Sequence, residues 1–240
     1  MEQFIFSGDD VTTEPDGRKL VAVEGSENFH LLRVLRLRIG DTLLATDGQG
    51  RTFLCVLKEA SRERSVCEAV QEYHDLNISV RDYCIGLSIL KPVSKVELAI
   101  EKCTELGARR FLLFYSERSE KTKLRMDRLQ AVVKSAVKQS LQSRIPEIRV
   151  AKNIDEVSAH AAGYEQRFVL HEKSSEKFEV HLSGLNAPRT TMALIGPEGG
   201  FADSEIELLT DNGFMSCSLG SPRLRSETAA IKAASLLSVY

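Results

Sequence analysis

Two glycine-bearing loops hold the residue types best suited to chemistry. In Ala193-Leu194-Ile195-Gly196-Pro197-Glu198-Gly199-Gly200-Phe201 an apolar strand stops abruptly, and a helix is expected to begin near Asp203. Glycines let a backbone turn sharply and approach a ligand with no Cβ in the way. Open backbone amides beside the positive end of a helix suit a polar small molecule. Pro197 stiffens the loop, so less conformational entropy is lost when a ligand orders it. The same residues would also make a tight strand-to-helix turn with no ligand. The second loop, Leu219-Gly220-Ser221-Pro222-Arg223-Leu224-Arg225-Ser226-Glu227-Thr228, again joins a strand to a helix. Ser226 can cap that helix. Arg223 and Arg225 lie just before its N-terminus, where the dipole disfavours cations, so they point to an anionic ligand or an acidic partner. Solvated arginines are the plain alternative. His171 follows the strand Phe168-Val169-Leu170 at its carboxyl end, where open α/β sheets bind ligands.

Several common chemistries lack their residues. No GxGxxG follows a strand, and GxxxxGK[ST], HExxH and GxSxG are missing. Five scattered cysteines, Cys55, Cys67, Cys84, Cys103 and Cys217, form no CxxC and stand beside no histidine at ligand spacing. They read as reduced thiols packed like small apolar groups, with no disulfide framework and no metal site expected.

Charge is distributed unevenly. The whole chain has a formal charge of −2, so it is no bulk polycation. Between Arg109 and Arg149, however, eleven basic residues face four acidic ones, a net +7. Such a concentration is a candidate surface for a phosphate backbone, with a solvated face as the alternative. Arg33, Arg36 and Arg38 make a smaller patch. No stacking platform of aromatics stands out, so readout of single strands by stacking is not expected.

The elements that must position these loops follow a change of rhythm. With 240 residues, 42% of them hydrophobic, two domains are expected. The first seventy residues read as strands around one helix, Glu27 to Leu37 capped by Ser26, which suggests a small barrel. From about residue 80, strands at 83–90, 111–115, 147–151, 167–170, 191–195 and 214–218 alternate with helices at 93–106, 123–142, 154–162, 203–211 and 226–240. That alternation points to a mostly parallel sheet covered on both faces. The boundary falls at Glu72 to Ser79. No apolar run reaches the roughly 18 residues of a membrane span, and Met1 to Asp10 carries no signal-peptide pattern, so a cytoplasmic protein without membrane contact is expected.

Five segments in this order resemble the RsmE family of the SPOUT superfamily, which methylates N3 of a uridine in small-subunit ribosomal RNA. His30-Leu31-Leu32-Arg33-Val34-Leu35-Arg36 is similar to that family's H-x-x-x-V-L-R signature, Lys102-Cys103-Thr104-Glu105-Leu106-Gly107 to its K-x-T-E-L-G helix end, and Ser116-Glu117-Arg118-Ser119 to its x-E-R-S segment. Ile195 to Gly200 resembles its I-G-P-E-G-G loop and Leu219 to Thr228 its L-G-x-x-I-L-R-T-E-T loop. Here Ser221-Pro222-Arg223 shifts the first arginine by one place, while Leu224-Arg225 keeps the register. Gln139 to Arg144 departs from the family's Q-S-G/C-R.

The resemblance implies an α/β fold: a trefoil-knotted SPOUT methyltransferase domain over 73–240, behind a small PUA-like β-barrel over 1–72 that grips RNA. It implies S-adenosylmethionine as cofactor, 16S rRNA or the small ribosomal subunit as partner, a homodimer, and no metal. The cofactor would be held by Leu170, His171, Ile195, Gly196, Pro197, Glu198, Gly199, Gly200, Leu219, Gly220, Leu224, Arg225 and Ser226. Arg225 and Arg118, with Glu198 as a positioning or base residue, are the catalytic candidates. Arg33, Arg36, Arg118, Lys121, Lys123, Arg125 and Arg144 are the candidates for RNA contact. A SPOUT enzyme acting on another RNA and a non-catalytic ribosome-assembly factor are the alternatives. The intact Gly-Pro-Glu-Gly-Gly loop weighs against the second.

Overall fold

The computed structural model of the chain describes residues 1–120, 122–182 and 190–239, and the backbone alone of Asp9. The chain divides into two compact units, Met1–Ile78 with Lys134–Ile145 and Ser79–Val133 with Pro146–Tyr240.

The first unit is a six-stranded sheet around one helix. Its elements are β1 (Gln3–Ile5), β2 (Val11–Thr13), β3 (Lys19–Glu24), α1 (Gly25–Phe29), β4 (Thr42–Thr46), β5 (Arg51–Ala60) and β6 (Arg64–His74), ordered β1-β4-β5-β6-β3-β2 in the sheet. Side chains alternate across a strand, so Val21 and Val23 of β3 and Phe53, Cys55 and Leu57 of β5 turn inward and are fully buried with Phe4, Leu31 and Leu43. The helix differs from the expected one. It starts after Glu24, with no side-chain cap, and passes into a π-helical turn at His30–Val34. It ends because Arg36 takes a left-handed φ of 57°, which lets Leu37 N–H reach back to the Leu31 carbonyl at 3.1 Å.

Residues 140–145 belong to this unit although they are distant from it in sequence. Ser143 O accepts from Gly50 N at 2.9 Å and from Thr46 Oγ1 at 3.2 Å, while Ile145 N donates to Gly48 O at 2.8 Å. Gln3 Nε2 donates to Gln142 O at 2.7 Å.

The second unit is a six-stranded, wholly parallel sheet in the order β12-β10-β11-β7-β8-β9. Its strands are β7 (Tyr83–Ser88), β8 (Arg110–Phe114), β9 (Glu147–Ala151), β10 (Gln166–Leu170), β11 (Thr191–Ile195) and β12 (Met215–Cys217). Between them in sequence come α2 (Ser94–Glu105), α3 (Met126–Gln139, of which the residues from Lys134 on belong to the first unit), α4 (Ile154–Ala161), α5 (Phe178–Leu182), α6 (Asp203–Asp211) and α7 (Ser226–Val239). Every residue of β7 and β11 is buried, as expected of parallel strands covered on both faces. Leu112, Phe114, Val169, Met192 and Leu194 pack with the residues of α4 and α6, while α7 lies against α2, β7 and β11. The α/β class expected from the alternation is the one observed.

Two differences have plain causes. The long helix spans Met126–Gln139 rather than 123–142, because Leu141 adopts a φ of 56° and Gln142 N returns to Val137 O at 3.1 Å. The five-residue α5 is too short to show a helical period in the sequence. All five cysteines are buried and free. Among the described residues no helix is long and apolar enough to cross a membrane.

Candidate active site

Parallel register sets three loops side by side. Leu170, the last residue of β10, pairs with Ile195 on one side and with Cys217 on the other. The segments that continue from these three residues therefore leave the sheet at one level of its carboxyl edge, where open α/β sheets bind ligands. A cavity of about 300 Å³ opens there, lined by Leu170, His171, Ile195 to Glu198, Gly200, Phe201 and Arg223 to Ser226. A second, of about 290 Å³, shares Leu170, His171, Arg223 and Leu224 and adds Leu219 to Pro222. Every expected cofactor residue lines one cavity or the other except Gly199. Glu172 lines both and was not among them. A lone acid just past the end of β10 gave no sequence signal.

The Gly-Pro-Glu-Gly-Gly loop is held by packing. A Cβ at Gly196 would come within 3.0 Å of the Phe201 ring and 3.3 Å of its backbone nitrogen. Phe201 in turn stacks on Phe114 with ring centroids 6.2 Å apart and planes 9° from parallel. At the second loop, Gly220 sits at a φ of 107°, which side-chain-bearing residues rarely adopt, and Lys232 Nζ of α7 holds Leu219 O at 2.7 Å.

Glu205, buried in the first turn of α6, ties the two sides of the site together. Its Oε2 accepts from Ala202 N at 2.8 Å and from Ser116 Oγ at 3.0 Å, and its Oε1 accepts from Glu117 N at 2.9 Å. Ser119 Oγ accepts from Ser116 N at 2.9 Å and shares a 2.7 Å hydrogen bond with Ser88 Oγ. The turn so fixed delivers Arg118, whose Nη1 donates to Gly199 O at 3.0 Å. Gly199 thus faces Arg118 instead of the cavity. In the sequence Glu205 looks like one more acid in a helix's first turn, because its capping-box partner is Ala202, which has no side-chain oxygen to signal the pattern.

Electrostatics separate the catalytic candidates. Burial pushes the Glu198 carboxyl up, but the Lys95 ammonium, 2.8 Å from Oε1, and backbone N–H groups outweigh it and hold the group below its ordinary value. A carboxylate stabilised in this way is a poor proton acceptor and a good positioning group. Burial, with Lys173 nearby, holds His171 below its ordinary value and so neutral at pH 7. Arg225 is exposed on the cavity rim, and its side chain makes no described hydrogen bond or ion pair. Neither Glu198 nor Glu227 claims it.

The basic stretch is far less bare than its +7 suggests. Arg110 meets Asp82, Arg125 meets Asp127, Arg128 meets Glu97, Lys138 meets Glu27, Arg144 meets Asp75 and Arg149 meets Glu147. Four of those acids, Asp82, Glu97, Glu27 and Asp75, lie outside the stretch, where a window count misses them. Lys134, Lys138 and Arg144 belong to the first unit and the others to the second. Lys123, Arg33 and Arg36 are exposed with no described partner, and Lys121 lies outside the described residues.

Residues 77–238 match the family model of an RNA methyltransferase domain, and residues 23–70 that of an RNA methyltransferase PUA domain. Fold and site together define an RNA methyltransferase with an attached PUA domain. The chain is 34% identical over 234 residues to Ribosomal RNA small subunit methyltransferase E of Mycobacterium bovis, covering 92% of this chain and 86% of that protein. It is 29% identical over 231 residues to the Bacillus subtilis protein of the same name, covering 90% and 89%. A Legionella pneumophila protein solved with its bound cofactor SAM matches with a TM-score of 0.83 at 25% identity, covering 99% of this chain and 96% of that one. The chain belongs to the RsmE family of RNA methyltransferases.

Proposed function

We propose that this enzyme transfers a methyl group from S-adenosylmethionine to N3 of one uridine in 16S ribosomal RNA, in the cytoplasm and as a homodimer. Residues 1–72 grip the RNA, and residues 73–240, with the C-terminal chain knotted, carry out the transfer. The observation that supports this most is the convergence of the 170–171, 195–200 and 219–226 segments on cavities of about 300 and 290 Å³.

The residues fit the cofactor. Leu170, Ile195, Leu224 and Ala229 offer apolar walls for a planar base. Phe201 fills the space that a Cβ at Gly196 would take, which fixes the loop's backbone at the cavity wall, and the carboxylates of Glu172 and Glu198 suit a cationic ligand. Bound there, S-adenosylmethionine supplies an electrophilic methyl group on a sulfonium.

The rest falls to the protein. A uracil N3 must lose its proton to water before or as it attacks, and negative charge then spreads onto the flanking carbonyls. Arg225, charged and with no side-chain partner among the described residues, donates to one of those oxygens, a task for which a planar fork of N–H groups is suited. Arg118, steadied through the Glu205 turn, braces the Gly199 side of the loop and adds positive charge toward the RNA. Glu198, ionised by Lys95, positions rather than accepts a proton. The loops hold the base unpaired and aligned with the methyl group. Arg33, Arg36, Lys121, Lys123, Arg125 and Arg144 meet RNA phosphates.

Two measurements test the reading. Calorimetric titration with S-adenosylmethionine should show one site per chain. Mapping of N3-methyluridine in 16S rRNA from cells with and without the gene should reveal one position that depends on it. An unchanged methylation map would defeat the assignment.

A further inference from the structure

The second unit has a further cavity at the opposite end of its sheet from the cofactor site. Its volume is about 290 Å³, and it is lined wholly by residues of this unit. Parallel pairing explains where it lies. Met192 pairs with Cys84, Cys84 with Arg110, and Leu112 with Arg149, so these five side chains share one face of the sheet near its amino edge. Ile154, Val157 and Ala161 of α4 pack on that face with Cys84, Leu112 and Met192. The helix has only eight residues and ends at Ala161. Eight helical residues rise about 12 Å, against roughly 16 Å for a strand of five. The part of the face left uncovered is the cavity.

Its walls divide into two chemistries. Cys84, Leu112 and Met192, none more than 2% exposed, form an apolar floor. Beyond α4, Tyr164 N returns to Ala161 O at 3.0 Å, and the Tyr164 ring lies 5.4 Å from the Arg110 guanidinium. Asp82 holds the same guanidinium from the other side, so Arg110 is fixed. Arg149 is freer. It is exposed, its Nε donates to Glu147 Oε1 at 2.6 Å, and its Nη1 and Nη2 groups have no described acceptor. An exposed pair of this kind is weak, and a planar fork with open N–H groups suits a carboxylate. Asp82 and Glu147, the acids that line the cavity, already hold guanidiniums, so a cationic ligand would find no open carboxylate there.

We propose that this cavity is a second small-molecule site, which takes an organic carboxylate with an apolar body. The carboxylate sits on Arg149 beside Arg110, and the body rests on the floor of Cys84, Leu112 and Met192 against Tyr164. A volume of about 290 Å³ stands at the low end for small-molecule sites, which limits the ligand to modest size. Bare phosphate would leave the floor unfilled, and a neutral apolar molecule would leave Arg149 without its acceptor. The cavity shares no lining residue with the two at the cofactor site, and the inference does not depend on the function proposed above.

Gly163 makes the site testable. It lines the cavity, its backbone lies outside the left-handed region, and a Cβ there would meet nothing within 4 Å. Gly163→Leu should therefore fill the space without strain. The probe is 2-naphthoate, whose size of about 13 non-hydrogen atoms corresponds to a dissociation constant of about 1 mM or tighter. Ligand-observed NMR titration of the full-length protein, with S-adenosylmethionine saturating, should show that binding. 2-Naphthamide and inorganic phosphate should each bind about tenfold more weakly or worse, as loss of a charged hydrogen bond or of the apolar contact requires. Gly163→Leu should abolish binding, while its heat-unfolding midpoint and 16S rRNA methylation match wild type. Arg149→Met, on the exposed rim, should weaken binding by about tenfold, and it decides the matter if Gly163→Leu does not fold. Absence of binding at about ten times the expected constant, displacement by S-adenosylmethionine, or wild-type affinity in these variants would each overturn the site. Phosphate bound as tightly as 2-naphthoate would reveal a site for a bare oxyanion and overturn the ligand class.

Discussion

The Glu205 carboxylate accepts a 3.0 Å hydrogen bond from the Ser116 hydroxyl, joining residues 89 positions apart in the chain. Through it the turn that carries Arg118 and the loop that follows Gly196 become one piece. Glu205→Ala would leave three donors, Ser116 Oγ, Glu117 N and Ala202 N, without their partner. Each lost bond to a buried charged acceptor costs about 1.5–3 kcal/mol, so a clear fall in the midpoint of heat unfolding is expected. Single-turnover methylation should slow as well, with Glu205→Gln intermediate in both. A Glu205→Ala protein that melts and reacts like wild type would show that the tie is idle.

At Gly196 the expected effect is on the cofactor. Gly196→Val would drive a branched side chain against Phe201, whose ring already stands 3.0 Å from where a Cβ would be. Titration calorimetry should show S-adenosylmethionine affinity reduced at least tenfold. RNA affinity, measured by anisotropy, should change little.

Arg225→Lys should separate binding from rate. Lysine keeps the charge and loses the planar fork, so the deficit should appear in the transition state. Loss of one preorganised donor typically lowers a rate by about 10²–10³-fold. Single-turnover rates would reveal it, with cofactor and RNA affinities near wild type. A rate within a few-fold of wild type would remove Arg225 from the chemistry.

Ion pairing sorts the basic stretch. Lys123 has no described partner, whereas Arg149 lies 2.6 Å from Glu147. Lys123→Ala should therefore lower the log–log salt slope of RNA binding by about 0.7–0.9, and Arg149→Ala should leave it nearly unchanged. Equal slopes for both variants would mean that the internal pairs open on binding.

His171 sets a pH dependence. Burial lowers its folded-state value below the ordinary 6.5, so between those two values the unfolded chain binds more protons than the folded one. Stability then rises with pH through that window and falls as pH drops below about 6.5. Heat-unfolding midpoints compared at pH 5.5 and 7.5 should differ more for wild type than for His171→Asn.

What the sequence determined by itself was local. Period-two alternation in β3 and β5, the continuous apolar runs of β7 and β11, and the abrupt stops at Gly196 and Gly220 depend on neighbours along the chain, so element types and the two candidate loops were legible. The quoted motifs supplied the family. What the tertiary structure decided depends on residues far apart. The parallel register of Leu170 with Ile195 and Cys217 brings three loops to one edge, and no local pattern encodes a register between strands. Glu205 acquires its role from Ser116 and Glu117, and Gln142 and Ser143 join the first unit through Gln3 and Gly50. The +7 of the basic stretch dissolves for the same reason. Coulomb attraction acts through space, and the acids that neutralise Arg110, Arg128, Lys138 and Arg144 come from segments that only folding brings near.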